Sequence, residues 1–231
     1  MNNKLIIEPR FCGPKNSGNG GYVCGMLANQ VDYIPEITLR KPPPLLVQMD
    51  IQRENDSLEL KYNKELIATV KPGFIDFEAP QAPDFKTAIN SSKNYIGFKD
   101  HPYPSCFVCG TDRESPDALC IYPGRTGEDN LIAAPWVPDE SLNNGQGYVS
   151  QEFIWSALDC PGGNIVMEKG LKVLLGRMTA KIKHPIKVGE ECVVIGWLKG
   201  NEGRKYYSGT ALFTKNKGLC AVAHAIWIHV Q

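Results

Sequence analysis

The sequence lacks a net charge: 25 Lys and Arg residues are matched by 25 Asp and Glu. No dense basic run breaks that balance, so nothing holds the chain to a polyanion, and no nucleic-acid partner is expected. A long apolar run is missing too. No window approaches the roughly 20 residues of a membrane helix. The opening Met1-Asn2-Asn3-Lys4-Leu5-Ile6-Ile7-Glu8 stops being apolar after three residues, too soon for an export signal. The expectation is a cytosolic (cytoplasmic) protein with no membrane partner. Eight cysteines would suit a disulfide framework in a short exported chain. Without an export signal they read as reduced thiols, packed as small apolar groups.

What is present is an ordinary folding composition, 42% hydrophobic and 22% charged over 231 residues. That length holds one large domain or two units of about 100 residues each. The chain reads as two similar halves. Asn19 to Gln30 suits a largely buried helix behind a Gly-rich turn, and is followed by strands over Glu36–Arg40, Leu45–Arg53, Ser57–Tyr62 and Glu65–Lys71. Asn55-Asp56 and Asn63-Lys64 mark reversals, and Pro42-Pro43-Pro44 is expected to interrupt pairing between the first two strands. The second half has a helix over Tyr148 to Cys160, apolar on nearly every face, which Pro161-Gly162-Gly163 is expected to end. Strands over Leu174–Lys183, Glu191–Lys199, Lys205–Thr214 and Leu219–Val230 follow.

Between the halves, prolines at 72, 80, 83, 102 and 104 remove backbone donors, with a short helix expected near Asp84 to Asn90. The organisation is therefore a first unit over 1–78, a Pro-rich linker over 79–104 and a second unit over 105–231. Helices grouped with an antiparallel sheet define an α+β class rather than a doubly wound sheet. The run Gly18-Asn19-Gly20-Gly21 lacks the parallel-sheet context and downstream acid of a dinucleotide loop, and no cofactor is called for.

One helix followed by an antiparallel meander, occurring twice, resembles the tandem (double) hotdog fold of acyl-CoA thioesterases, in which each sheet wraps around one long central helix. In the second half, Cys106-Phe107-Val108-Cys109-Gly110, Ala157-Leu158-Asp159-Cys160-Pro161-Gly162-Gly163 and the strand Ala180 to His184 before Pro185 and Gly189 resemble phenylacetyl-CoA-type thioesterases. In the first half Asn19-Gly20-Gly21 stands where such proteins often carry His-Gly-Gly at the start of the central helix, so asparagine replaces the histidine. The resemblance also implies an acidic residue nine positions further along the helix. Counting from Asn19 reaches Ala28, and counting back from Asp159 reaches Ser150, so each half keeps what the other lacks. It implies one composite site, Asn19-Gly20-Gly21 with Asp159, and one degenerate site. An alternative register pairs Gly21-Tyr22-Val23 with Gly147-Tyr148-Val149.

The chemistry follows from residue types. Backbone N–H groups at a helix N-terminus carry the positive end of the dipole, so those of Gly20, Gly21 and Tyr22 can hold a thioester oxygen as charge develops on it. Asp159, near the end of an apolar helix, is a candidate base or nucleophile because burial raises its pKa. It can equally arrange the following turn through side-chain to backbone bonds, and Gly20-Gly21 can be a tight helix start. Glu152 lies two turns before Asp159 on nearly the same face and offers a second carboxylate or complements the helix dipole. Ser150 reads as an N-cap or a substrate hydrogen-bonder. Phe153, Trp155 and Met26 are expected beside the acyl chain. Cys106-x-x-Cys109 suggests zinc, with His101 or Cys120 as further ligands, but no second regular pair accompanies it and a thiol-packed loop without metal is expected. His184, His224 and His229 read as hydrogen-bonded sheet residues.

These features define an acyl-CoA thioesterase as the expected function, with a noncatalytic acyl-CoA or acyl-lipid binding protein as the alternative. A hydratase on the same fold needs a positioned histidine and acid that neither helix offers. Sheet edges of such units commonly pair, so a homodimer is expected.

Overall fold

In the computed structural model, residues 3–230 are described. Met1 and Asn2, which open the N-terminal stretch read above and the first unit, and Gln231, which closes the second, lie outside the described residues. The strands are β1 (Lys4–Leu5), β2 (Pro35–Leu39), β3 (Met49–Glu54), β4 (Ser57–Tyr62), β5 (Glu65–Pro72), β6 (Gly124–Arg125), β7 (Leu131–Trp136), β8 (Val173–Ile182), β9 (Cys192–Glu202), β10 (Lys205–Thr214) and β11 (Gly218–His229). The helices are α1 (Gly20–Ala28), α2 (Phe85–Ser92) and α3 (Gln151–Met167). Among the described residues no helix is long and apolar enough to cross a membrane.

All eleven strands form one sheet in the order β1-β3-β4-β5-β2-β8-β11-β10-β9-β7-β6. Local chemistry sets its hairpins. Tyr62 pairs with Glu65 across Asn63 and Lys64, which both take positive φ (49° and 68°), the backbone of a two-residue turn matched to strand twist. Thr214 pairs with Gly218, whose φ of 65° closes a three-residue loop.

The order repeats: β1-β3-β4-β5-β2 is echoed by β7-β9-β10-β11-β8, with α1 before β2 and α3 before β8. The two runs meet antiparallel where Ile37 of β2 pairs with Met178 of β8. The first two strands expected from the sequence do not pair, in keeping with the triproline between them: β2 lies between β5 and β8 and does not border β3. The triproline also makes a second contact: Pro43 O accepts from Gly18 N at 2.8 Å, beside the start of α1. β7 has no counterpart among the expected strands. Its Leu-Ile-Ala-Ala-Pro-Trp run is almost wholly buried and carries no alternation to mark it.

Two helix ends define the site. Asn19 caps α1, its side chain accepting from Tyr22 N at 2.9 Å. α3 does not end at Pro161-Gly162-Gly163 as expected; it runs through to Met167, and every residue from Phe153 to Val166 is buried. Pro161 has no N–H for Ala157 O, and beside that carbonyl Thr210 Oγ1 of β10 donates to Leu158 O at 2.7 Å. The two glycines admit neighbours instead of stopping the helix. A Cβ on Gly162 would sit 2.6 Å from Ser208 Oγ, and one on Gly163 would sit 2.8 Å from the Trp227 ring. Packing on the sheet outweighs the local breaker signal.

Candidate functional site

α1 and α3 pack against each other in opposite directions, because Gly21 faces Trp155, Ser156 and Asp159 whereas Gly25 faces Glu152 and Trp155. A Cβ on Gly21 would overlap Asp159 Cβ and lie 2.8 Å from Trp155 O; one on Gly25 would overlap Glu152 Cα. Glycine at these positions, one turn apart, lets the backbones touch. The approach brings Asp159 to the capped start of α1.

There Asp159 Oδ2 accepts from Gly21 N at 2.9 Å and from Asn19 Nδ2 at 3.0 Å. The same Asn19 amide thus caps its own helix through Oδ1 and tethers the opposite helix through Nδ2. Among the described residues Asp159 Oδ1 has no hydrogen-bond partner. Burial pushes the Asp159 carboxyl up to about 7, and the two donors only partly oppose that rise.

A cavity of about 370 Å³ opens at this point, lined by Asn19, Gly20 and Asp159 together with apolar side chains such as Leu175 and Ile228. Arg40 and Lys41, both exposed, line it as well. So does Asn164, one turn beyond Cys160, whose side-chain amide is buried without a partner among the described residues. Asn164 was not singled out in the sequence because α3 was expected to have ended; a polar residue inside a continued apolar helix is the signal that would have found it.

The structure therefore brings together Asn19, Gly20, Gly21 and Asp159. It narrows the expected oxyanion donors: Tyr22 N is spent on the Asn19 cap and Gly21 N on Asp159, leaving Gly20 N, at the cavity wall, as the donor without a partner among the described residues. It does not bring the remaining candidates to the cavity. Tyr22 stacks on Phe11 with ring centroids 4.1 Å apart and, with Phe107 and Phe153, forms an aromatic cluster in the core. Trp155 is 1% exposed under α1. Ser150 occupies the N-cap of α3 without a side-chain bond, and Glu152 Oε2 accepts from Asn29 Nδ2 at 3.0 Å at the far end of the helix pair. The α3 interior is apolar on all sides, so its periodicity could not say which face meets the cavity.

Asn19 and Ser150 are equivalent N-caps. That favours the register linking them over the one that matches Gly21 with Gly147, which lies in the turn before α3 at φ 83°. In this register the second pseudo-equivalent position is Ala28, which offers no carboxylate.

Comparison with known proteins places the fold. No family model matches the chain, and no curated protein matches it. Among solved structures, a putative thioesterase from Novosphingobium aromaticivorans superposes over 99% of this chain and 95% of its own, with a TM-score of 0.66 and 10% identity. The tesB protein of Mycobacterium avium subspecies paratuberculosis superposes over 99% and 92%, with a TM-score of 0.62 and 9% identity. A further thioesterase superfamily protein matches 48% of this chain at a TM-score of 0.45 and 15% identity, and there the chain spans 54% of the relative's length. The first two define the class: this is a double-hotdog fold. Of these two, one is named a putative thioesterase and the other a tesB protein, and the likeness to them is one of fold.

Proposed function

We propose that the protein is an acyl-CoA thioesterase whose site is composite, with Asn19, Gly20 and Gly21 from one unit (1–78) and Asp159 from the other (105–231), joined by the 79–104 linker, α1 and α3 serving as the central helices. The observation that carries this reading is the Asp159 carboxylate, which is gripped on Oδ2 by Gly21 N–H and the Asn19 amide while its Oδ1 is unpaired beside an apolar cavity. A carboxylate fixed by one oxygen presents the other in a constant place, as a base toward water or a nucleophile toward the thioester carbon. Gly20 N–H, at the positive end of α1, supports the developing oxyanion. The acyl chain lies along Leu175 and Ile228, Asn164 pairs with a polar group of the ligand, and Arg40 and Lys41 meet the phosphates of CoA at the cavity mouth. The protein works as a cytoplasmic homodimer without a nucleic-acid partner.

Thiol release from short, medium, long and aromatic acyl-CoAs tests the reading. Asp159→Asn keeps an oxygen for both donors but loses the carboxylate, so turnover should fall by about 10²–10⁴ while binding persists. Unchanged turnover in the variant removes Asp159 from the mechanism. The second reading is a noncatalytic acyl-CoA or acyl-lipid binding protein. It is favoured by the occupied N–H groups of Gly21 and Tyr22, which leave a reduced oxyanion site. Binding of the panel without turnover by the wild type would establish it.

A further inference from the structure

Three cysteines that the sequence reading treats as apolar packing converge. The sulfur atoms of Cys106, Cys109 and Cys160 lie within 4.8 Å of one another. Two come from the loop before β6 and the third from the middle of α3. Cys106 Sγ and Cys160 Sγ are 3.6 Å apart. With metal–sulfur bonds of about 2.3 Å, two ligands at adjacent corners of a tetrahedral zinc site stand about 3.8 Å apart. A disulfide would need about 2.05 Å. The Cys106–Cys160 spacing matches an edge of the tetrahedron, and the third sulfur lies within 4.8 Å of both.

The loop is built to aim its sulfurs. The Asn19 side-chain amide donates to Cys106 Sγ at 3.8 Å and to Cys160 Sγ at 4.0 Å, and Gly110 N donates to Cys106 O at 2.9 Å. A Cβ at Gly110 would lie 2.5 Å from Cys106 N and O, so the tight turn after the second cysteine admits only glycine. Tyr95 Oη holds Cys109 O at 3.2 Å. Thiols that merely fill space need no such amide donors, whereas a thiolate is stabilised by them.

His101 completes the surroundings from outside. Its Nδ1 accepts from Tyr103 N at 2.8 Å and its Nε2 lies 3.3 Å from Cys109 Sγ. With Nδ1 occupied by a backbone donor, the ring proton belongs on Nε2 and points at the sulfur, so His101 steadies a thiolate without being a ligand. Cys120, the other residue considered from sequence, is not in the group; its sulfur approaches Arg113 O at 4.0 Å.

We propose that Cys106, Cys109 and Cys160 form a binding site for a thiophilic divalent cation of the zinc class, its fourth corner facing the cavity that all three residues line. Three thiolates select such an ion over magnesium or calcium, which require oxygen ligands. Three thiolates and a divalent ion leave one net negative charge, which the Asn19 side-chain amide and His101 Nε2–H face. The ion ties the 106–110 loop to α3 beside Asp159. This goes beyond the thioesterase reading and does not depend on it.

The test uses the full chain, reduced and stripped with chelator, then titrated with Co²⁺ and afterwards Zn²⁺. One Co²⁺ per chain should bind with thiolate-to-cobalt charge-transfer absorption and a tetrahedral d–d pattern, both abolished by Zn²⁺. Cys160→Ser should weaken binding by at least about 100-fold, above the loss typical of an outer-shell change; Cys120→Ser should bind as the wild type does, and His101→Gln should keep the charge-transfer absorption. Wild-type protein without that absorption, or Cys160→Ser with the wild-type titration, overturns the proposal. If Cys160→Ser fails to fold, the charge-transfer intensity of the wild type counts the thiolates, and fewer than three per cobalt overturns it equally.

Discussion

Replacing Gly21 with alanine tests whether the contact between α1 and α3 is as tight as the geometry requires. The new Cβ would overlap Asp159 Cβ and press on Trp155 O at 2.8 Å and Ser156 Cα at 3.0 Å. Ordinary carbon contacts are about 3.5–4.0 Å, and the obstacles are backbone or near-backbone atoms that cannot swing away. The helices must part by roughly 1 Å. Overpacking of that kind costs about 1–3 kcal/mol. Alanine returns at most about 1 kcal/mol of helix propensity, less here in the first turn. A net loss of about 1–2 kcal/mol should appear as a lower urea midpoint at unchanged m-value. The same shift stretches the Gly21 N to Asp159 Oδ2 bond beyond its 2.9 Å, and a displacement of about 1 Å at a reacting group costs on the order of 10²-fold in rate. Gly25→Ala strikes Glu152 instead, further along the pair, and should destabilise comparably with a smaller loss of turnover. A Gly21→Ala protein as stable and as active as wild type would falsify the reasoning.

Other expectations follow from single contacts. Asn19→Ala removes both the cap on Tyr22 N and one donor to Asp159; it should cost about 0.5–2 kcal/mol in chemical denaturation, and Asn19→Ser should recover the stability but not the turnover. Thr210→Val removes the 2.7 Å bond to the Leu158 carbonyl, next to the Ala157 carbonyl that Pro161 leaves without a helical donor, so about 0.5–1.5 kcal/mol of stability should be lost; no change in the urea midpoint would mean that the hydroxyl does not help to sustain α3 through the proline. Arg40→Ala should raise KM for acyl-CoA about fivefold at low salt, with the difference fading as salt rises. Acyl-pantetheine, which lacks the phosphates, should show no such difference in the same assay, and equal effects on both substrates would move Arg40 away from the CoA end.

Much of the scaffold was legible in the chain because its signals are local. Asn63-Lys64 marks its hairpin by composition, and the β4 and β10 ranges follow from β-branched and aromatic residues between turn formers. Asn19 and Ser150 fall at N-caps, so the count that paired one half's glycines with the other half's acid found residues that do meet, 140 positions apart. The side of α3 that meets the cavity was not legible, because a helix buried all round has no apolar stripe to orient it. Phe153 and Trp155 consequently went into the core, and Asn164 was overlooked.

By itself the sequence determined where the chain turns, which residues can cap a helix and which carboxylate can be buried, since each depends on the backbone preferences and polarity of a few neighbouring residues. The tertiary structure alone decided that α3 continues past Pro161, that β2 and β8 join the two halves into one sheet, and that Cys160 reaches Cys106 and Cys109. Those outcomes depend on close contacts between segments distant in the chain. No local pattern records them, and the packing that produces them outweighs a local breaker worth about 3 kcal/mol.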